Sequence, residues 1–425
     1  MSVGIKQWIQ QVTDRALLML DLKATEEPVN DLISQCHAVL SRRGEATGLA
    51  LAGSVVSCWT TLPESEHIAF FQRLLAEFGP DEKALGEAIA AYQVTPSENG
   101  ALRLHQAAEA RRQELFRRIN AAPGGLKTLI RMREVLRKSL RQQPELAPID
   151  QDFVHLFTSW FNKGFLKLER IDWETPAAVL EKLIQYESVH EIQGWDDLRR
   201  RLAEDRLCFA YFHPVMPDEP LIFVEVALVS GMASAIRPLL DTPPAPPVNA
   251  DTAVFYSINN CQPGLAGVSF GNLLIKQVVS VLQAEHPRLK RFVTLSPIPG
   301  LARWIEKEHP DWHNILANHA DPEASVGLVA KYLTSAREGR PIDPVARFHL
   351  GNGATLERIN PEADLSQRGQ AQSYGFMVNY LYELDDIVTN HEQLMEHGKI
   401  ATSKDVQQHL KKTPKTPFKE LPHVT

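Results

Sequence analysis

Through most of the first 160 positions, apolar residues recur at three- and four-residue intervals, the spacing that gathers them on one face of a helix. Ile5, Trp8, Ile9, Val12, Leu17, Leu18 and Met19 make one broad stripe. Ile68, Phe70, Phe71, Leu74, Leu75 and Phe78 make another, behind a Pro63-Glu-Ser-Glu opening suited to a first helical turn. Pro80-Asp81 opens a helix through Leu85, Ile89 and Tyr92. Residues 97–120 read as one long charged helix, closed by Pro123-Gly124-Gly125, and residues 126–140 as the next. No alternation of period two interrupts them, so the pattern predicts a helical bundle. Pro144 and Pro148 discourage helix continuation and mark a boundary. The expected domains are 1–150, helical, and 151–425.

Helical spacing persists over 152–161, from Thr175-Pro176 through Leu183, and over 195–202; then the period changes. Residues 207–212 and 221–228 are β-rich and read as consecutive antiparallel strands joined by a proline-rich loop. A third strand over 253–258 leads into a turn with Gly264 and Gly267. A helix over 269–283 follows, with Phe270, Leu274, Val278 and Leu282 on one face. A fourth strand, 292–295, ends in Ser296-Pro297-Ile298-Pro299-Gly300. Residues 301–335 return to helix, 375–382 form another apolar run, and 401–412 a short capped helix before a proline-rich end. Antiparallel strands followed by a strand–turn–helix–strand unit predict an α+β second domain. The turn is suited to phosphate, because the first helical amides have no intrahelical partners and the helix dipole favours an anion.

Composition narrows the class. A chain of 425 residues with 44% hydrophobic and 23% charged residues reads as globular, with room for two cores. A net charge of −7 argues against a general nucleic-acid binder. Arg111, Arg112, Arg117, Arg118, Arg131, Arg133, Arg137, Lys138 and Arg141 form a basic stretch amid Glu109, Glu114 and Glu134. It reads as a solvated helix face or as a patch meeting phosphates or another subunit. Cys36, Cys58, Cys208 and Cys261 are widely spaced, which suggests a reducing compartment. The fifteen histidines lack metal-binding spacing, so no metal is expected. No apolar run is long enough to span a bilayer, and the N-terminal stretch reads as neither signal nor transit peptide.

Three runs carry a resemblance. FYSINNCQPGLAGVSFGNLLIKQVV from Phe255, TLSPIPG from Thr294 and FHLGNGATLERINPEADLSQRG from Phe348 together resemble malonyl-CoA decarboxylase, from about Gly164 to Lys399. The resemblance implies a GNAT-type, acetyltransferase-like mixed-sheet catalytic domain behind an all-helical one. It implies decarboxylation of malonyl-CoA to acetyl-CoA. The thioester carbonyl is the electron sink for this reaction, so no cofactor is expected. By the same resemblance Ser296 and His349 are the catalytic pair, with Ser296 bonding to the reacting oxygens and His349 delivering a proton. Tyr382 is a third catalytic candidate, and Asn352 could orient His349. Ala266, Gly267, Val268, Ser269, Phe270, Gly271 and Asn272 would hold the coenzyme A pyrophosphate. Ser269 stands where relatives carry an acid.

An acyl-CoA-dependent acyltransferase would share the phosphate turn, and a non-catalytic acyl-CoA sensor would share the fold. The expected partners are malonyl-CoA, acetyl-CoA and further copies of the chain, as a dimer or tetramer through the helical domain. The expected location is cytoplasmic.

Overall fold

The structure, a computed structural model, describes residues 28–41, 44–268, 274–318 and 322–412. The stripe expected over 5–22, the segment 269–273 and the proline-rich end lie outside these residues. Two compact units divide the chain. One takes residues through 166 with 213–217 and 262–269; the other takes 167–212, 218–261 and 270 onward.

The first unit is helical: Pro28–Leu40, Glu45–Thr61, His67–Glu77, Glu82–Val94, Glu98–Ala108, Arg111–Ala121, Gly125–Ser139 and Ala147–Trp160. Phe70, Phe71, Leu74 and Phe78 are all buried, so these four serve the core of the unit. Phe116 stacks on Phe153 with ring centroids 4.2 Å apart. The helix expected over 97–120 is two helices. Ala110 is extended, and the amides of Arg111 and Arg112 donate to the carbonyls of Gly79 and Phe78. Those bonds replace the helical ladder, and a tertiary capture of this kind leaves no local propensity signal. Helix Ala147–Trp160 begins within the expected boundary. Pro148 sits in its first turn, where a missing N–H costs nothing, and Phe153 and Phe157 bury among the helices. The compact helical unit therefore continues past residue 150.

The basic stretch is largely structural. Arg112 and Arg133 are buried, paired with Asp152 at 2.5 Å and Asp150 at 2.8 Å. Arg117, Arg118 and Lys138 pair with Glu109, Glu114 and Glu134. Arg133 also donates to the Gly264 carbonyl at 2.7 Å, and Arg137 to that of Ala266 at 2.9 Å.

The second unit is built on a mixed sheet. Its strands are β1 (Lys167–Ile171), β2 (Arg206–His213), β3 (Met216–Val229), β4 (Thr252–Asn260), β5 (Arg291–Thr294) and β6 (Ser296–Pro297). A small hairpin, β7 (Ala336–Arg337) and β8 (Arg340–Pro341), precedes β9 (Thr355–Asn360) and β10 (Met377–Leu381). The order is β1-β2-β3-β4-β5-β10-β6, with β9 on β10. β3 starts at Met216, so the expected proline-rich loop shrinks to a tight turn. β4 and β5 run parallel, Val254 opposite Val293, and helix Leu274–Glu285 lies between them in the chain. In the antiparallel β3–β4 pair Glu225 faces Ser257 and Val226 faces Phe255, so Tyr256 is an extra, bulged residue. Helix Ala177–Tyr186 packs Val179, Leu180 and Leu183 with Phe212 and Phe223 in one core cluster. A second cluster unites Val254, Tyr256, Val293 and Met377. This is the expected α+β arrangement. Among the described residues no helix is long and apolar enough to cross a membrane.

Candidate active site

Thr294 ends β5 and Ser296 opens β6, so their side chains share one face of the extended chain. Tyr380 and Tyr382 share a face in the same way at the end of β10, which pairs with both β5 and β6. His349 comes from helix Pro344–Gly351. That helix starts where Asp343 accepts from the amides of Val345 and Ala346, both at 2.9 Å. The far carboxylate oxygen accepts from the Tyr332 hydroxyl at 3.0 Å, and the Gly300 amide also bonds to Asp343. One buried carboxylate thus ties the start of the histidine helix to the end of the Ser-Pro-Ile-Pro-Gly segment.

The sheet and this helix bring Ser296, His349 and Tyr382 together. Ser296 Oγ lies 3.1 Å from His349 Nε2, and His349 Nδ1 lies 2.8 Å from the Tyr382 hydroxyl. Ser296 also donates to Thr294 Oγ1 at 2.9 Å, the same oxygen that accepts from the Tyr380 amide at 3.1 Å. The Tyr380 ring stacks on the imidazole, centroids 4.6 Å apart. Burial pushes the His349 imidazole down to about 3 and the Tyr382 and Tyr380 phenols well above their ordinary value. The His349 ring is therefore neutral in the ligand-free protein, because it is wholly desolvated and no carboxylate among the described residues offsets that. Tyr382 stays an O–H and donates to Nδ1, which leaves the proton of the neutral ring on Nε2, aimed at Ser296. Asn352 is buried, and its side-chain amide nitrogen has no hydrogen-bond partner among the described residues.

Ser296 and His349 line a cavity of about 360 Å³ whose other walls, including Val189, Phe255, Ile258, Val345 and Phe348, are mainly apolar. Glu187 fixes the Val189 wall from behind. It accepts from the amides of Val189 and His190, both at 2.8 Å, and from Ser257 and Asn259, both at 2.7 Å. Dry walls around one polar corner strengthen any charge interaction made there.

Of the expected phosphate segment, Ala266, Gly267 and Val268 are described, and Ser269, Phe270, Gly271 and Asn272 are not. Gly267 has φ +83°, a left-handed conformation that favours glycine. Gly264 is needed for a different reason: a Cβ there would stand 2.1 Å from the Ile130 carbonyl oxygen. Sequence reading missed Thr294, Tyr380 and Asp343. Period-two spacing from Ser296 and Tyr382 points to the first two; nothing local points to Asp343.

The helical unit and the mixed sheet are shared with acyl-CoA carboxy-lyases of solved structure. Residues 78–161 match the malonyl-CoA decarboxylase N-terminal domain, and residues 164–328 and 308–420 its C-terminal domain. The mitochondrial malonyl-CoA decarboxylase of Anser anser anser is 35% identical over 347 residues, 70% of this chain and 68% of that protein. The Mus musculus protein is 33% identical over 355 residues, 72% of each. The crystal structure of malonyl-CoA decarboxylase from Rhodopseudomonas palustris superposes with a TM-score of 0.84 at 49% identity, over 89% of this chain and 99% of that one. That from Cupriavidus metallidurans gives 0.71 at 37%, over 90% and 99%. The chain belongs to the malonyl-CoA decarboxylase family. Membership decides against the acyltransferase and sensor alternatives.

Proposed function

We propose that Ser296, His349 and Tyr382 form the centre at which this chain decarboxylates malonyl-CoA to acetyl-CoA and carbon dioxide. The observation that carries it is the continuous contact from Tyr382 through His349 to Ser296 at the polar corner of an apolar cavity. The C–C bond to the carboxylate breaks, its electron pair moves into the thioester carbonyl, and carbon dioxide leaves. The resulting enolate takes one proton at carbon. Ser296 can turn its hydroxyl from Thr294 to the carboxylate or enolate oxygen, as a fixed donor that needs no reorganisation. His349 is neutral in the empty site. A malonyl carboxylate entering the cavity supplies the opposite charge that favours imidazolium, as does the place of His349 in the last turn of its helix. The proton is thus taken up with the substrate and given to carbon after carbon dioxide has left. Tyr382 holds the ring in place: its hydroxyl donates to Nδ1 of the neutral imidazole and turns to accept from Nδ1–H of the imidazolium.

The chemistry needs no cofactor, since the thioester itself accepts the electrons. The coenzyme A pyrophosphate is proposed to lie on residues 266–272, with Gly267 giving the backbone access. Copies of the chain are proposed to assemble through the helical unit. Helices Glu82–Val94 and Glu98–Ala108 bury none of their residues and expose Ile89, Val94 and Leu102. All four cysteines are free, which fits the proposed cytoplasmic location.

Purified protein should convert malonyl-CoA to equal amounts of acetyl-CoA and carbon dioxide in EDTA, without biotin or ATP. Acyl transfer to an amine with no carbon dioxide released would overturn the reading.

A further inference from the structure

The contacts at the catalytic corner have the connectivity of a hydrolytic triad but the opposite polarity. In a serine–histidine–carboxylate triad the serine donates to Nε2 and the carboxylate accepts from Nδ1–H, so Nε2 is a free base. Here Ser296 Oγ lies 3.1 Å from Nε2 of His349, and a phenol, that of Tyr382, takes the third place, 2.8 Å from Nδ1. Burial raises this phenol well above its ordinary value, so it keeps its proton and donates to Nδ1. Nε2 then carries the ring proton and has no lone pair for the Ser296 hydroxyl. The serine proton goes the other way, to Thr294 Oγ1 at 2.9 Å. That oxygen is held by the Tyr380 amide at 3.1 Å, and Thr294 is fully buried.

Asp343, the buried carboxylate at the start of the same helix, does not reverse this polarity. It is engaged by the amides of Val345 and Ala346 and by the Tyr332 hydroxyl. In the imidazolium Nε2 is still a donor, so the polarity persists when the ring is charged. Once His349 has given up its proton, Thr294 still offers the serine hydroxyl an acceptor other than Nε2. The alternative chemistry is close at hand. With Nε2 free, Ser296 Oγ would bond to the thioester carbonyl carbon and the C–S bond would break. The serine proton would pass through His349 to the departing thiol, leaving an ester on the enzyme. Holding the ring in the wrong tautomer costs a serine protease about 10⁴-fold in kcat.

We propose that Tyr382 and Thr294 are positioning residues that decide between two reactions: they aim the hydrogen bonds of His349 and Ser296 away from nucleophilic attack, and so keep the thioester intact while the C–C bond breaks. This rests on the decarboxylase reading and names what confines the site to that reaction. The apolar walls of the cavity act in the same direction, since they keep out the water that an acyl-enzyme would need for its release.

The test uses acetyl-CoA, which has no carboxylate to lose. The wild type should release no free thiol from it above the rate without enzyme. Tyr382→Glu puts a group that only accepts beside Nδ1, and Thr294→Val removes the other acceptor of the serine proton. The double variant should release thiol roughly 10²–10⁴-fold faster than the wild type, the range for general-base assistance. An acetyl ester should appear on Ser296 in peptide mass spectra, and adding Ser296→Ala should abolish both signals. A double variant that still binds coenzyme A in calorimetry but releases no thiol would overturn the proposal, as would thiol release by the wild type. If the double variant does not fold, the wild type decides. Nitrogen NMR of protein labelled at histidine, with His349→Asn identifying the signal, should place the ring proton on Nε2 in the empty site; a proton on Nδ1 would overturn the proposal. A wild type with the proton on Nε2 that releases neither thiol from acetyl-CoA nor carbon dioxide from malonyl-CoA would overturn the decarboxylase reading and leave the hydrogen-bond polarity standing.

Discussion

An imidazole held down to about 3 by burial does not bind a proton near neutrality in the empty cavity. Two expectations follow from this residue. His349→Asn should lower turnover roughly 10²–10⁴-fold, the usual contribution of an acid–base group, while coenzyme A still binds. Ser296→Ala should lower it roughly 10²–10³-fold by removing a donor to the reacting oxygen. Calorimetry with an unreactive malonyl thioester in buffers of different ionisation heat separates the roles: proton uptake should vanish in His349→Asn and persist in Ser296→Ala. The second expectation concerns stability. Unfolding returns His349 to its ordinary value near 6.5, so between about pH 6.5 and 3 the unfolded chain binds a proton that the folded chain refuses. Stability therefore declines as pH falls through this window, by up to about 1.4 kcal/mol per pH unit from this group. Urea midpoints measured across the window should fall less steeply in His349→Asn; parallel curves would mean that the ring is protonated in the folded state. The resemblance makes Ser296 and His349 legible in the sequence, but it says nothing about burial. Residue type alone gives histidine its solution pKa, and only the packed Tyr380 face and the desolvated cavity change it.

Among elements, the junction at Asp343 governs the site without entering the catalytic cavity. Its carboxylate is buried and raised above its ordinary value by desolvation, against the hydrogen bonds that lower it. Asp343→Ala removes the helix cap, a loss of about 1–2 kcal/mol, and releases Gly300 and Tyr332 as well. Asp343→Asn keeps one oxygen for the cap. Turnover should fall in both variants, more in Ala, with KM for malonyl-CoA little changed and with the pH profile displaced as His349 is repositioned. A loss of thermal stability with unaltered kinetics of the surviving enzyme would make Asp343 a structural cap only. Elements were legible in proportion to how much apolar periodicity they carry. β4, expected over 253–258, spans Thr252–Asn260, and His67–Glu77 matches its stripe closely. β1 was missed because Lys-Leu-Glu-Arg-Ile buries only Ile171 and offers no alternation. The break at Glu109-Ala110 was missed because it is made by carbonyls thirty residues earlier in the chain.

For the molecule as a whole, the unburied hairpin Glu82–Ala108 is the part that needs an explanation outside the chain. Ile89→Asp with Leu102→Asp should reduce the mass seen by light scattering if copies meet there. An unchanged mass would move the contact elsewhere, and a full-length monomer at micromolar concentration would remove it. The two-unit plan was read from Pro144 and Pro148, short of residue 166 where the first stretch of the helical unit ends. The exchange of segments between units was not, since 262–268 reads locally as a loop belonging to β4.

That segment has a consequence for synthesis. Gly264 sits against Ile130, and Arg133 and Arg137 close on the carbonyls of Gly264 and Ala266. The helices leave the ribosome first, yet their last hydrogen-bond acceptors are translated more than a hundred residues later. Until then a buried guanidinium lacks one of its acceptors, a deficit that favours an open, chaperone-accessible bundle over a finished one. A gene ending at residue 166 would therefore yield the helical unit without the Gly264 and Ala266 acceptors.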